Sequence, residues 1–186
     1  MNSPHEADLV ARWRRGDAEA FEGLVRRWQQ PIARFLFRIT GKAELVHDLC
    51  QEIFLRVYQS RASYRESGHF DAWLYRIALN VARDAGRRRS FSALPNGKEL
   101  ADPAASAESI CQQRELQSLV TASVAELPEA LRVVLALHLD EGLAFEEIAR
   151  LTGTPASTLK SRFSVALRRL RHRLGKTGYA PEEDAR

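Results

Sequence analysis

The stretch FEEIARLTGTPASTLKSRFSVALRRLR, residues 145–171, predicts two short helices joined by a tight turn. Glu146 and Glu147 lie in the opening turn of the first helix, where the helix dipole favours acidic side chains. Gly153 suits the left-handed residue that ends a helix, and Pro155 suits the start of the next one. The pattern therefore predicts a helical hairpin whose second helix begins close to Pro155.

The second helix of this hairpin separates its side chains into two faces. An apolar stripe recurs every three or four residues and comprises Leu159, Phe163, Leu167, Leu170 and Leu174. A mostly polar set lies away from that stripe and comprises Lys160, Ser161, Ser164, Val165 and Arg168. A helix whose apolar side packs on the protein and whose polar side is free to solvent fits the DNA major groove. The arginines at its C-terminal end add attraction to phosphates. The alternative is an ordinary helical hairpin with a solvated basic face.

Charge is distributed unevenly along the 186 residues, although the net charge is only +4. Residues 1–90 hold 16 Lys and Arg against 11 Asp and Glu, whereas residues 91–117 hold 2 against 4. Nearly all of the 28 basic residues are arginine, whose planar guanidinium suits phosphates and base edges. The two cysteines make no disulfide framework, and no signal peptide or long apolar run appears. We therefore expect a soluble, cytoplasmic protein with no direct membrane insertion.

Helical periodicity dominates the chain, and no segment alternates as a strand would. The first predicted helix starts near Asp17, Pro31 begins the next helical turn, and further helices follow at 43–60, 70–88, 108–126 and 131–139. Prolines, Asn96-Gly97 and small residues mark 90–107 as a linker. We predict an all-α protein of two small helical domains joined by a flexible linker, with domains 1–90 and 113–175, linker 91–112 and a frayed tail 176–186.

The helix predicted from Phe70 carries a polar stripe opposite its buried side. The stripe comprises Arg76, Asn80, Arg83 and Arg87, spaced by four, three and four residues. Just before this helix, aromatic residues alternate with basic or polar ones: Tyr64, Arg65, His69 and Phe70. That combination suits single-stranded nucleic acid, because bases stack on rings while arginines follow the backbone. The residues leave the alternative equally open, in which Tyr64 and Phe70 cap the core and the arginines are a solvated helix end.

The helix predicted over 43–60 offers a surface of a different character. Its exposed side carries Asp48, Gln51 and Glu52, with Phe54 and Leu55 beside them. An acidic and amide-bearing face with an adjacent aromatic is typical of a protein-docking surface. The residues alone favour the alternative, a salt-bridged helix exterior.

Neither catalytic residues nor a metal or cofactor site is predicted. His47 and Cys50 share one helix face and could be two metal ligands, but the other histidines lack ligand spacing. No nucleophile–base pair or carboxylate pair stands out, so we expect no enzyme activity. A stand-alone helix-turn-helix regulator is the alternative function, but it leaves residues 48–58 and 70–84 unexplained.

Five blocks of the chain together resemble a known family. They are GDAEAFEGLVRRW (16–28), DLCQEIFLRVY (48–58), FDAWLYRIALNVARD (70–84), LPEALRVVLALHLDEGLAFEEIA (127–149) and STLKSRFSVALRRLR (157–171). In this order they resemble the bacterial sigma subunits of RNA polymerase, of the small extracytoplasmic-function (ECF) type with only regions 2 and 4. The resemblance covers residues 16–174 apart from the linker.

The resemblance implies a function in promoter-specific transcription initiation on core RNA polymerase. Residues implied to dock on the β′ clamp helices are Asp48, Gln51, Glu52 and Phe54. Residues implied to capture a flipped base and the non-template strand at the −10 element, in and beyond the loop 64–71, are Tyr64, Arg65, His69, Phe70, Arg76, Asn80, Arg83 and Arg87. Residues implied to read the −35 duplex are Ser157, Thr158, Lys160, Ser161, Arg162, Ser164, Val165 and Arg168.

Further partners and two departures also follow from the resemblance. The second domain would sit on the β flap, the linker would run toward the RNA exit channel, and an anti-sigma factor would clamp the two domains together. His47 stands where the family usually has an acid. Ser164 and Val165 are small where some relatives have an aromatic and a base, although serine can hydrogen-bond a base and valine can meet a thymine methyl.

Overall fold

The computed structural model of the protein describes residues 4–65, 69–89 and 118–176. All regular structure in these ranges is helical, which confirms the predicted all-α class. The helices are α1 (Pro4–Arg14), α2 (Ala18–Thr40), α3 (Ala43–Gln59), α4 (Phe70–Arg89), α5 (118–125), α6 (Glu129–Leu135), α7 (Phe145–Thr152) and α8 (Ala156–Lys176). A 3₁₀ turn (Ser60–Ala62) follows α3 and a π-helical turn (Ala136–Asp140) follows α6. The predicted linker, the start of the helix predicted from residue 108 and residues 177–186 of the predicted tail lie outside the described residues.

Helix α1 is absent from the sequence prediction, which starts the first helix near Asp17. It buries Leu9, Val10 and Trp13 in the core. Glu6 is buried as well, and its carboxylate accepts a hydrogen bond from Arg27 Nε at 2.6 Å, the pairing that a buried charge requires. Residues 4–14 therefore form a helix with one buried apolar side, although the start of the chain is polar and acidic. The helical spacing of Leu9, Val10 and Trp13 is the sequence signal that could have predicted it.

Helix α2 begins and ends at local signals in the sequence. The Asp17 carboxylate accepts hydrogen bonds from the backbone N–H groups of Glu19 at 2.9 Å and Ala20 at 3.1 Å, which otherwise have no helical partner. Arg12 of α1 donates to the other oxygen of Asp17 at 2.7 Å, so the same side chain joins α1 to α2. Gly41 ends the helix at a left-handed φ of 69°. Pro31 lies inside α2, which continues through it without a break.

Helices α1 to α4 form the first domain around one buried cluster. Its largest buried side chains on α2 and α3 are Leu24, Ile32, Phe35, Leu36 and Ile53. Helix α4 contributes Phe70, Leu74, Tyr75 and Leu79. Because α4 buries this side, its opposite side carries the polar stripe that the sequence predicts.

Helices α5 to α8 form the second domain, which contains the predicted helical hairpin. Gly153 ends α7 with a φ of 70°, as the sequence predicts, and α8 begins three residues later. Leu127, Leu131 and Leu135 form a buried cluster with Ala166 of α8, while Ile148 of α7 is fully buried. The hairpin therefore packs against a short helical base rather than standing alone.

The two domains pack against each other, an arrangement that the sequence does not predict. Helix α7 lies on α4, and α6 lies on α2. Val134 and Leu137 of the second domain belong to the same buried cluster as Phe35 and Tyr75 of the first. In the described parts of the chain, the two domains therefore share one hydrophobic core.

The Asp17 cap predicts a dependence of stability on pH. Hydrogen bonds from the Ala20 backbone and from Arg12 lower the pKa of Asp17. Its ionised form therefore adds stability above the unfolded-state pKa of about 3.9, and this stability is lost as pH falls through the lower folded-state pKa. At pH 7 we expect the free energy of unfolding in urea to fall from wild type to Asp17→Asn to Asp17→Ala, because asparagine keeps the cap but not the charge. The gap between wild type and Asp17→Asn should close in acid, and a gap independent of pH would contradict the assignment.

Candidate nucleic-acid and docking interfaces

The first candidate surface is the outer face of α8. Its exposed members are Ser157, Lys160, Ser161, Ser164 and Arg168, which lie on one solvent-facing side of the helix. Behind them Leu159 and Ala166 are buried and Phe163, Leu167 and Leu170 are half-buried, so the apolar stripe packs on the domain. The helix thus presents a small polar face on a fixed support, as direct reading of a DNA groove requires.

Three predicted −35 residues lie away from the centre of this face. Thr158, Arg162 and Val165 are half-buried. Val165 packs against the apolar cluster around Leu127, so its methyl groups are partly used inside the protein. A contact between Val165 and a thymine methyl is therefore less accessible than the sequence alone indicates.

Lys160 is held at the start of α8 by the first turn of α7. Its Nζ lies 3.4 Å from Glu146 Oε1 and 5.8 Å from the centre of the Phe145 ring. The pKa of Glu146 is lowered by a hydrogen bond from the backbone N–H of Glu146 itself and by the proximity of Lys160. Phe145 in turn stacks on His138, with ring centres 4.2 Å apart. The cation at the front of the polar face is thereby oriented by the preceding helix.

The second candidate surface is the α4 stripe, consisting of Arg76, Asn80, Arg83 and Arg87. All four side chains are exposed and lie on one side of α4, as the sequence predicts. That side faces the second domain: Arg76 Nη2 donates to the Arg150 carbonyl at 2.6 Å, and Arg83 Nε lies 3.5 Å from Glu129 Oε1. Arg87 pairs with Asp84 of its own helix. Two of the three arginines are therefore already engaged across the domain boundary.

The aromatic residues before α4 lie inside the protein. Tyr64 is 5% exposed and Phe70 is 1% exposed. The Tyr64 ring lies 4.6 Å from Trp73 and the Phe70 ring 6.0 Å from Trp13, measured between centres. The expectation that Tyr64 and Phe70 stack on bases therefore needs correction, because neither ring offers a free face. The alternative reading, in which both rings cap the core, is the one that the structure favours.

The polar neighbours of these rings remain accessible. Arg65 and His69 are exposed on either side of residues 66–68, which lie outside the described residues. His69 Nδ1 lies 3.9 Å from Glu147 Oε1 of α7. The aromatic cluster thus holds Tyr64 and Phe70, while Arg65 is exposed and His69 lies near the second domain.

The third candidate surface is the exposed side of α3. Asp48 and Gln51 are exposed, Phe54 is half-buried, and Glu52 accepts a hydrogen bond from Arg56 Nη2 at 2.5 Å. Beside them, 55% of Leu55 and 52% of Tyr58 is exposed. Large apolar side chains left in water next to acids are typical of an interface core with a polar rim. Tyr58 was missed in the sequence, where a helix-end tyrosine carries no sign of its exposure.

His47 and Cys50 lie on one side of α3, where the sequence could place two metal ligands. Burial raises the pKa of the Cys50 thiol to about 11, so this thiol stays protonated near neutral pH. The His47 ring is hydrogen-bonded at 3.0 Å to Gln51. Within residues 4–65, 69–89 and 118–176, no cluster of three or more potential metal ligands occurs, and no helix has the length and apolar character needed to cross a membrane.

Comparisons with known proteins agree with both domains. The family described as Sigma-70 region 2 matches residues 24–91, and the family described as Sigma-70, region 4 matches residues 118–170. The RNA polymerase sigma-H factor of Pseudomonas aeruginosa is 32% identical over 173 residues, covering 87% of this chain and 90% of that protein. The ECF RNA polymerase sigma-E factor of Escherichia coli is 34% identical over 169 residues, covering 83% of this chain and 86% of that protein.

Two solved structures share the fold at lower sequence identity. CnrH in complex with the cytosolic domain of CnrY has a TM-score of 0.71 at 23% identity, covering 92% of this chain and 98% of that chain. The sigma factor RpoE in complex with the anti-sigma factor NepR from Bartonella quintana has a TM-score of 0.67 at 21% identity, covering 85% and 98%. At these identities the likeness concerns the fold alone.

The burial of Phe70 gives a prediction that separates a core ring from a stacking platform. Phe70→Ala should lower the free energy of unfolding by about 3–5 kcal/mol, because it leaves a cavity in the aromatic cluster. The neighbouring change His69→Ala is the control and should stay within about 0.5 kcal/mol of wild type, since His69 is exposed. Urea unfolding measures both variants. If the two substitutions were equally harmless, Phe70 would be a surface ring.

Proposed function

The chain belongs to the ECF sigma factors of the sigma-70 family, and on that premise we propose how its surfaces share the recognition of a promoter. As a sigma factor it directs RNA polymerase to initiate transcription at promoters. The first domain docks on core polymerase and captures the −10 strand, and the second reads the −35 duplex. The chain itself performs no covalent chemistry and acts in the cytoplasm, where the polymerase works.

The −35 assignment is carried by the two-sided character of α8. A polar face of three serines, a lysine and an arginine stands opposite an apolar stripe that packs on the domain, with Lys160 held in place by Glu146. Serine and lysine can hydrogen-bond base edges in the major groove, and Arg168 can meet a phosphate. We assign base reading to Lys160, Ser161 and Ser164, and backbone contacts to Ser157 and Arg168.

The −10 assignment uses the α4 stripe and the loop before it. Asn80 lies exposed between Arg76 and Arg83, and its amide can both donate to and accept from a base edge. The two arginines are placed to follow the strand backbone on either side of it. With Tyr64 and Phe70 in the core, the captured base is held by polar groups of the loop, including Arg65 and His69, rather than between these two rings.

The docking assignment combines charge with exposed apolar area on α3. Asp48, Gln51 and Glu52 form the polar part, and Leu55 and Tyr58 supply the exposed apolar part, of which the sequence prediction lacked Tyr58. We propose that this face binds the β′ clamp helices and that the second domain binds the β flap. The relatives in the two solved structures are bound to an anti-sigma factor or a cytosolic partner domain, and we propose an anti-sigma partner for this chain as well.

Substitutions on α3 test the docking assignment. Asp48→Ala combined with Glu52→Ala should weaken binding to core polymerase by roughly tenfold or more, equivalent to about 1.4 kcal/mol. Promoter-specific transcription with purified core, read by mapping start sites, should fall in parallel. The matched control is Glu19→Ala combined with Glu22→Ala, which removes the same charge from exposed positions on α2. Unchanged affinity in the α3 variant, or equal losses in both, would count against this docking face.

A single substitution on α8 tests the division between the two promoter elements. In the holoenzyme, Lys160→Ala should weaken binding to a −35 duplex by about 1–3 kcal/mol through the loss of a base contact. Binding to a template already melted at −10 should not change. Lys42→Ala removes the same charge from the first domain and serves as the control. A loss of both activities together in Lys160→Ala would show that the domains do not divide the work as proposed.

A further inference from the structure

We propose that Glu146 of α7 is a specificity-determining residue for the −35 duplex, which it reads together with Lys160 of α8. The two side chains read one base pair, with guanine against Lys160 and its paired cytosine against Glu146. This inference rests on the proposed function of α8 in reading the −35 element, and it adds to that function an acid from the preceding helix.

The Glu146–Lys160 pair lies in solvent at the edge of the polar face of α8. Lys160 Nζ lies 3.4 Å from Glu146 Oε1, and 57% of the lysine side chain and 65% of the glutamate side chain are exposed. An ion pair this exposed contributes little to the stability of a fold. The start of α7 does not depend on Glu146 either, because Glu147 accepts the hydrogen bond from the Ala144 backbone N–H at 2.8 Å. The Glu146 carboxylate is therefore available for recognition.

An acid beside Lys160 is unexpected on a surface that only has to attract phosphates. DNA phosphates attract cations irrespective of sequence, so a carboxylate at this place weakens that attraction for every duplex. Next to base edges a carboxylate has a different use, because it accepts a hydrogen bond from the N4 amino group of cytosine. The backbone hydrogen bond and Lys160 lower the pKa of Glu146, so at neutral pH the group is ionised and only accepts hydrogen bonds. The acid therefore favours reading of sequence over general attraction to DNA.

The spacing of the two charged groups matches the major-groove edge of a G·C pair. Guanine O6 and cytosine N4 are joined by a hydrogen bond within the pair and so lie about 3 Å apart. Lys160 Nζ and Glu146 Oε1 have nearly the same separation, 3.4 Å. The ammonium has three N–H donors and the carboxylate has several acceptor positions, so both groups can meet the bases while they stay in contact with each other. The Phe145 ring, whose centre lies 5.8 Å from Nζ, helps to hold the ammonium in place.

The same arrangement discriminates among the four base pairs. With thymine against Lys160 and adenine against Glu146, O4 still accepts and N6 still donates. The thymine methyl then replaces the second acceptor that guanine offers in N7, and adenine N7 brings an acceptor close to the carboxylate. In the two reversed pairs, the central donor meets the ammonium and the central acceptor meets the carboxylate. The expected order of affinity is therefore G·C first, T·A second, and the reversed pairs C·G and A·T last.

The test uses holoenzyme assembled from core polymerase and the full chain, with −35 duplexes taken upstream of a start site mapped with this holoenzyme. Each base pair of the element is replaced in turn by the other three, and competition binding gives ratios of affinities, which a general change in attraction to DNA does not alter. The wild-type chain should show the order above at one base pair. Glu146→Gln should reduce the preference for G·C over T·A at that pair by roughly tenfold, or reverse it, because glutamine both accepts and donates and pairs with adenine.

Glu22→Gln is the matched control. Glu22 lies 2.8 Å from Arg26 and both side chains are exposed, as in the Glu146–Lys160 pair, but this pair lies on α2. The control should keep the wild-type order at every base pair. A second comparison distinguishes reading from orientation: in a Lys160→Ala background, Glu146→Gln should still lower the preference for cytosine over adenine at the position that faces it. Loss of that effect would show that Glu146 acts only through Lys160.

The outcomes separate this inference from the proposed function. An unchanged order in Glu146→Gln, a wild-type order that no base pair follows, or an effect that vanishes without Lys160 would overturn the reading of cytosine by Glu146. A −35 preference in the wild-type holoenzyme would still support the proposed function in each of these cases. If the wild-type holoenzyme bound all −35 duplexes equally, the proposed function of α8 would fail and the inference with it.

Discussion

Burial of an aromatic cluster beneath α4 is the constraint on which the rest of the first domain depends. Trp13, Tyr64, Phe70 and Trp73 come from α1, the loop and α4, and their ring centres lie 4.6 to 6.1 Å apart. Because these rings must leave water together, they fix the rotation of α4 about its axis. The arginines on its other side then share one direction without any contact between them.

In α8, too, burial of the apolar side sets the direction in which the polar side points. The two helices differ in what covers their polar sides. The α8 face is left to solvent, while the α4 stripe meets the second domain. Arg76 of the stripe donates to the Arg150 carbonyl and Arg83 lies 3.5 Å from the Glu129 carboxylate, both in the second domain.

Much of this could be predicted from the sequence, because the informative patterns are local. Helical spacing of apolar residues located α2, α3, α4 and α8, and Gly153 marked the turn between α7 and α8. The pattern failed where a residue distant in sequence takes part: Glu6 is buried and pairs with Arg27 on another helix. Likewise, the sequence leaves open whether Tyr64 stacks on a base or belongs to the core, because the answer depends on its contact with Trp13 of α1. No local pattern indicates that Arg132 donates hydrogen bonds to the Ile39 carbonyl.

The hydrogen bonds of Arg132 serve both domains through a single side chain. Its Nε and Nη2 donate to the Ile39 carbonyl of α2, and its Nη1 donates to the Ala125 and Leu127 carbonyls of the second domain. Loss of this side chain would remove the hydrogen bonds that it makes to all three carbonyls, so a substitution at Arg132 would disturb the first and the second domain at once.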